Sequence, residues 1–420
     1  MSIHVVQSGE SLWSLSHYYS QSVDVIKTVN GLPADLIMPG LALYLPDPEP
    51  IRFYRIKARD TLWKLALQFR TSVGRLLEAN PNLSPEKLSI GQVVAVPTPI
   101  KYPLQTLAFV DAYLPQSVSN QLSSLSPLLT YVAVFGYATQ SNGALTPARD
   151  DALLQLIKAQ GIRPLLVVSN STGSSFSPDL ARLVLDPLVR ANLIRSIKQN
   201  VLDKGYAGVS TDFEFIPANL RPQWTAFLLE LKQALGGLIL QVNVPSKTSD
   251  MPTNPIVGAY DYAAIGKIAD IFTVLTYDYG YSIGPPDPIA PPWWIEQVIT
   301  YTLTLVPKSK VMMAIPLYAY DWLIPDLPTV NAAALSVNAA QNLALSHYSL
   351  IQYDSHNESP YFSYMKDTHT HKVWFEDPRS LLAKYRLLEA YELPGVAYWR
   401  LGFDFPQNWA FIKDNFQVVK

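Results

Sequence analysis

The chain has 420 residues, 49% hydrophobic and 11% aromatic with only 16% charged, which excludes a disordered chain or a solvated helical rod and exceeds what one core usually organises. Lys plus Arg number 32 against 34 Asp plus Glu, so no global field draws nucleic acid or an anionic membrane, and neither is expected as a partner. With no cysteine and only six histidines, mostly scattered, there are no disulfides or thiolate sites, and neither metal nor cofactor is expected.

The N-terminus lacks a basic flank and an apolar core segment. No later stretch holds about 18 unbroken apolar residues. A soluble chain without an ordinary secretion signal is the expectation. The first hundred residues repeat: an offset of 50 sets Ser11-Leu12-Trp13 on Thr61-Leu62-Trp63 and Asn30 on Asn80, and one inserted residue then sets Gly40 on Gly91 and Pro46 on Pro97. Each copy reads as strand, capped helix, helix and strand. Trp13 and Trp63 read as core anchors of the first helix in each copy. Short Pro-rich linkers, 47–50 and 98–103, should hold the copies stiffly.

Both copies resemble the LysM domain, through Val6-Gln-Ser-Gly-Glu-Ser-Leu-Trp13 and Lys57-Ala-Arg-Asp-Thr-Leu-Trp63, each followed by an Asn-containing helix end and a Pro-terminated strand. That family binds N-acetylglucosamine-containing glycans, peptidoglycan or chitin, in a groove between two loops. The resemblance therefore implies glycan contacts at Gly9, Glu10, Ser11, Leu12, Asn30 and Leu32, and at Asp60, Thr61, Leu62, Asn80 and Pro81. Two weak sites on one chain gain by effective concentration on a repetitive polymer. The modules are placed at 1–47 and 51–98.

From residue 104 to 420, apolar strands alternate with amphipathic helical stretches. Strands are predicted at Thr106–Ala112, Tyr131–Tyr137, Arg163–Val168, Ala207–Phe215, Leu238–Val244, Ile271–Tyr277, Val311–Leu317 and Pro394–Trp399. Eight strands with helices between them make a (β/α)8 barrel the economical reading of this α/β pattern. The long connection between the last two strands, about 320–390, reads as a small α+β insertion walling the same face. His369 and His371 within it read as a solvated hairpin.

Within the fourth predicted strand lie two carboxylates, Asp212 and Glu214. Alternation puts Gly208, Ser210, Asp212 and Glu214 on one face and Val209, Thr211, Phe213 and Phe215 on the other. Tyr137, Asn243 and Tyr318 end strands on the face where a site would open. Gly208-Val-Ser-Thr-Asp-Phe-Glu-Phe215 resembles the signature of family 18 glycoside hydrolases, whose fuller form, Asp-Gly-x-Asp-x-Asp-x-Glu, has aspartates where Ala207 and Ser210 stand. Thr276-Tyr277-Asp278, Met313–Tyr320 and Gly395–Trp399 resemble later strands of that family. With paired LysM modules in front, the chain is similar to the spore cortex-lytic N-acetylglucosaminidases of spore-forming bacteria.

The resemblance implies a retaining, substrate-assisted hydrolysis, in which the substrate's own 2-acetamido oxygen is the nucleophile. Glu214 would donate the proton, Asp212 would hold the acetamido N–H, and Tyr277 would orient the acetamido oxygen. Trp399 would floor the pocket, and Ser210, Asp278, Tyr137, Asn243 and Tyr318 would complete it. With Ser210 in place of an aspartate, the Ser210 hydroxyl is expected to hold Asp212. A monomer acting on spore or cell-wall peptidoglycan is expected, with chitinase and non-catalytic glycan binder as the competing functions.

Overall fold

The computed structural model describes residues 2–46, 49–84, 88–113, 116–173, 175–324 and 331–420. Residues 47–48, where the first module's boundary and linker fall, and residues 325–330 of the insertion lie outside this description. In the first module β1 (Ser2–Val5) pairs antiparallel with β2 (Ala42–Leu45), and α1 (Leu12–Tyr19) and α2 (Val23–Asn30) fill the connection. The second repeats this with β3 (Ile51–Arg55), α3 (Leu62–Gln68), α4 (Val73–Glu78) and β4 (Val93–Pro97). The repeat extends to the caps, because Ser11 and Thr61 both accept a main-chain N–H three residues on, satisfying an otherwise orphaned donor.

The eight predicted barrel strands are all present. They are β5 (Tyr102–Asp111), β6 (Tyr131–Phe135), β7 (Arg163–Ser169), β8 (Gly208–Asp212), β9 (Ile239–Pro245), β10 (Ile271–Leu275), β11 (Val311–Pro316) and, after the insertion, Gly395–Trp399. All pair in parallel with their neighbours, and Gly395–Trp399 pairs with β5 to close the barrel. Leu107, Phe109, Tyr131, Ala133, Leu165, Val167, Ile271, Met312, Ala314 and Ala397 fill the interior. The opposite faces of the strands join the helices in a much larger outer core.

The insertion is a five-stranded antiparallel sheet. Its strands β12 (Tyr318–Ile324), β13 (Ala333–Ser336), β14 (Gln352–Asp354), β15 (Ser359–Lys366) and β16 (His369–Trp374) run in the order β13-β12-β16-β15-β14. The closing barrel strand is thus β17, and a final strand, β18 (Phe416–Val418), adds to the start of β5. His369 is exposed as expected of a hairpin tip, but His371 is not solvated. Its Nδ1 lies 2.9 Å from Asp321 Oδ1 and its ring stacks on Tyr364.

The modules pack on the barrel. Asn30's carbonyl accepts from Gln341 and Gln407, and the Tyr44 hydroxyl donates to Asp414 at 2.8 Å. In the second module Glu389, buried on the helix Pro378–Ala390, accepts from Arg52 Nε at 2.6 Å and from the Phe53 N–H at 2.9 Å. Trp13 and Trp63 are 67% and 66% exposed, so neither anchors a core. Leu12 and Leu15, and Leu62 and Leu65, do that. Each tryptophan sits at i+1, between the buried leucines at i and i+3, and so points away from their face.

Candidate active site

β8 runs close to its neighbour. A Cβ on Gly208 would lie 2.2 Å from the Ile239 carbonyl oxygen, so glycine is required there by space alone. Ser210 and Asp212 face inward, as alternation predicts, and the strand ends at Asp212. Phe213 then turns outward onto Trp224 and Phe227, while its carbonyl accepts from the Tyr260 hydroxyl at 2.6 Å. The predicted continuation to Phe215 fails because Phe215 adopts φ +51° and is 43% exposed, which is not strand geometry.

Glu214 is therefore carried on a clamped turn. Its N–H donates to Asn170 Oδ1 at 2.8 Å, and its carbonyl accepts from Asn170 Nδ2 at 2.8 Å. Asn170 is fully buried just after β7 and also bonds the Ser177 carbonyl. An amide that satisfies both main-chain groups of one residue fixes its position. Nothing in the sequence marks this residue, since one asparagine after an apolar strand carries no periodic signal.

Asp212 accepts a hydrogen bond from Asn243 Nδ2 at 2.9 Å, and Asn243 Oδ1 in turn accepts from Gln241 Nε2 at 2.6 Å. The Ser210 hydroxyl, expected to hold Asp212, is buried without a hydrogen-bond partner among the described residues. Asn243 does that work instead. It touches Asp212 rather than lining the open space.

Above these side chains lies a cavity of about 400 Å3. Asp212, Glu214, Tyr277, Asp278, Tyr318 and Trp399, all singled out from sequence, line it together. Phe109, Phe176, Tyr320, Ala334, Arg400 and Phe403 complete the wall. Tyr320 and Ala334 come from the inserted sheet; Tyr320 ends the Met313–Tyr320 stretch that resembles the family, whereas no sequence signal marked the strand of Ala334. Asp278, at φ +60°, accepts from the Tyr318 hydroxyl at 2.5 Å and from the Tyr320 hydroxyl at 3.4 Å. Trp399 packs against Phe109 and Phe135.

The electrostatics separate the groups. Burial, then the charges of Asp212 and Asp278, push the Glu214 carboxyl well above its usual range. Burial raises Asp212 as well, while the Asn243 hydrogen bond pulls it down. Among the described residues no hydrogen bond holds the Glu214 carboxylate, so Glu214 is the group kept protonated. Burial and the same carboxylates raise the Tyr277 hydroxyl, which stays a donor. The site offers a protonated acid, a neighbouring acceptor and a phenol donor beside an aromatic wall, the equipment for protonating a leaving oxygen.

Not every predicted residue joins it. Tyr137 faces the outer layer, where its hydroxyl donates to Asp150 at 2.9 Å beside Tyr206. The strand stops at Phe135, and Gly136 at φ +132° resets the alternation. In the modules, Leu12, Leu32 and Leu62 are buried, and Asn30 and Asn80 spend their amides on main-chain groups of the following strand and their own helix. Gly9, Ser11, Thr61 and Pro81 are exposed, whereas Glu10 and Asp60 are half-buried and accept the main-chain N–H three residues back.

This barrel, with its acid pair at the end of the fourth strand, defines a glycosidase class. The model of glycosyl hydrolases family 18 matches residues 112–404, and the LysM domain model matches residues 4–46 and 54–97. The chain belongs to glycosyl hydrolase family 18 and carries two LysM domains. Among proteins it resembles, a Bacillus subtilis protein described as a candidate sporulation-specific glycosylase, YdhD, is 35% identical over 97% of each chain. The cortical fragment-lytic enzyme of Bacillus cereus is 32% identical, covering 100% of this chain and 99% of its own. The crystal structure of the Bacillus cereus spore cortex-lytic enzyme SleL superposes with a TM-score of 0.87 at 31% identity, over 100% of this chain and 98% of that one.

Proposed function

We propose that the protein is a retaining N-acetylglucosaminidase that cleaves β-1,4 bonds after N-acetylglucosamine in spore cortex peptidoglycan. The observation that carries this reading is the raised, unbonded carboxyl of Glu214 beside Asp212 in an aromatic cavity. Full-length likeness to proteins named for cortex lysis supports the choice of polymer. Glu214 delivers its proton to the leaving oxygen. Asp212, oriented by Asn243, takes the acetamido N–H and steadies the charge as the acetamido oxygen closes on the anomeric carbon, and Tyr277 aligns that oxygen. Two displacements at one carbon retain its configuration. Trp399 lies under the sugar's apolar face.

The exposed loops at Gly9–Ser11, Asp60–Thr61 and Pro81 hold the glycan while the barrel cuts. The enzyme works as a monomer associated with spore or wall. It needs neither membrane nor nucleic acid, and among the described residues no helix is long and apolar enough to cross a membrane. Sedimentation of the full chain checks the monomer.

Digesting cortex fragments and N-acetylglucosamine oligomers side by side, with mass analysis of the new ends, tests the assignment. New reducing ends at N-acetylglucosamine from cortex are expected. Faster release from the oligomers would make the protein a chitinase, a reading that likeness to a Chromobacterium violaceum chitinase structure, 27% identical over 74% of this chain with a TM-score of 0.68, keeps in view. Wild-type protein no more active than its Glu214→Gln variant would make it a glycan binder.

A further inference from the structure

Asp212 lines the cavity together with Glu214, Asp278, Tyr277 and Arg400, and the Tyr260 hydroxyl lies at the carbonyl of the next residue, Phe213. Among the described residues none of these bonds Asp212, whose one hydrogen bond comes from Asn243 Nδ2. A side-chain amide can be turned over, and turned over this one would set an oxygen against the carboxylate. Its direction is fixed by whatever meets Asn243 Oδ1. That partner is Gln241 Nε2, at 2.6 Å, two residues earlier on the same inward face of β9.

Gln241 is fully buried, and two buried hydroxyls stand on the strands either side of it. Ser210 on β8 is opposite Gln241, and Thr273 on β10 is opposite Asn243. Gln241 Oε1, Ser210 Oγ and Thr273 Oγ1 have no hydrogen-bond partner among the described residues. One acceptor and two donors on adjacent strands of the barrel interior are a set that a single buried water can close.

We infer that Gln241 is a positioning residue for the hydrolysis, holding the Asn243 amide in the one direction that keeps Asp212 an acceptor for the substrate's acetamido N–H. The Ser210 and Thr273 hydroxyls anchor the free oxygen of the Gln241 amide, which turns its nitrogen toward Asn243. The inference rests on the catalytic reading of Asp212 above. The chain of groups runs from two hydroxyls through two amides to the carboxylate, and no link before the last carries a charge. An aspartate at position 210 would instead place a second acid on the same face of β8, and two close carboxyls compete for one proton. Ser210 thus serves Asp212 at a distance, through β9.

NMR titration of the full chain with isotope-labelled aspartate carboxyls reads Asp212 directly, its signal assigned by its loss in Asp212→Asn. Removing a donor from a carboxylate raises its pKa. Gln241→Leu should therefore raise the Asp212 midpoint by on the order of one unit, a tenfold change in proton affinity. The acid limb of kcat/KM on cortex fragments should move to higher pH with it, the loss falling on kcat more than on KM. Because Gln241 acts through Asn243, adding Gln241→Leu to Asn243→Leu should move the midpoint little further. Gln241→Met, nearly equal in length, repeats the measurement where the branched leucine disturbs packing. A midpoint unmoved in both Gln241 variants overturns the inference even if activity falls, as does a full second shift on top of Asn243→Leu. A midpoint that rises in a protein whose wild type cleaves nothing would sink the catalytic reading alone.

Discussion

Two carboxylates two residues apart hold unequal positions because their surroundings differ. Asp212 has an amide partner, whereas among the described residues the Glu214 side chain has none, and its main chain is gripped by Asn170. Glu214→Gln should lower kcat by about 10²–10⁴-fold, the usual worth of a general acid. Removing a neighbouring negative charge lowers a raised carboxyl, so in Asp212→Asn the alkaline limb of the kcat/KM profile should move to lower pH, measured on residual activity. Stability gives a second readout. Glu214 binds its proton more tightly folded than unfolded, so stability falls as pH rises from the ordinary carboxylate range through its raised folded value. The Gln variant cannot ionise, and its melting temperature should exceed wild type's at pH 8 by more than at pH 4. Asn170→Ala should lower kcat while leaving retained configuration intact, which product stereochemistry would verify. The acid pair was legible in the sequence because acids in an apolar strand are costly and conspicuous, whereas Trp399 was singled out only through the family resemblance. Asn170 was not legible, since its meaning lies in what it touches beyond the end of the neighbouring strand.

Strand patterns were readable as long as alternation ran unbroken, and misread where one residue left the extended region. Gly136 and Phe215 are those residues, and the errors at Tyr137 and at the end of β8 follow from them. The short module helices show the reverse. The apolar spacing of Leu12 and Leu15 already assigns the buried face, and Trp13 lies off it. Within β8 the least tolerant position should be Gly208. Gly208→Ala drives a methyl toward the Ile239 carbonyl oxygen and should cost about 1–3 kcal/mol by overpacking, measured as a shift in denaturant midpoint with unchanged slope.

The two modules are alike in sequence but differ in setting. At Gly31 in the first, a Cβ would lie 2.3 Å from Asn338 Oδ1, and the loop is pressed against the barrel, whereas Pro81 and Asn82 in the second are exposed. Altering the second module's loop, as in Thr61→Trp, should therefore weaken retention on insoluble peptidoglycan more than Ser11→Trp does, checked by pull-down of the full chain. The second module is tied to the barrel by Arg52 and Glu389. Burial pushes Glu389 up to about 7, against the pull of Arg52. Arg52→Ala strands this carboxylate, a loss of about 3–5 kcal/mol when it is charged. The deficit should be larger at pH 8 than at pH 5, where the unpaired acid takes up a proton.

The closure of β5 onto β17 and β18 bears on how the chain is made. Translation delivers both modules and β5 well before their partners Gln341, Glu389, Gln407 and Asp414 and the strands that complete β5's pairing. The second module's Arg55 can already reach Glu296 at 3.3 Å, but the contacts to Gln341, Glu389, Gln407 and Asp414 must wait for those later residues. The modules and the cavity thus acquire their fixed separation only once β17, the helix carrying Glu389 and β18 have been made.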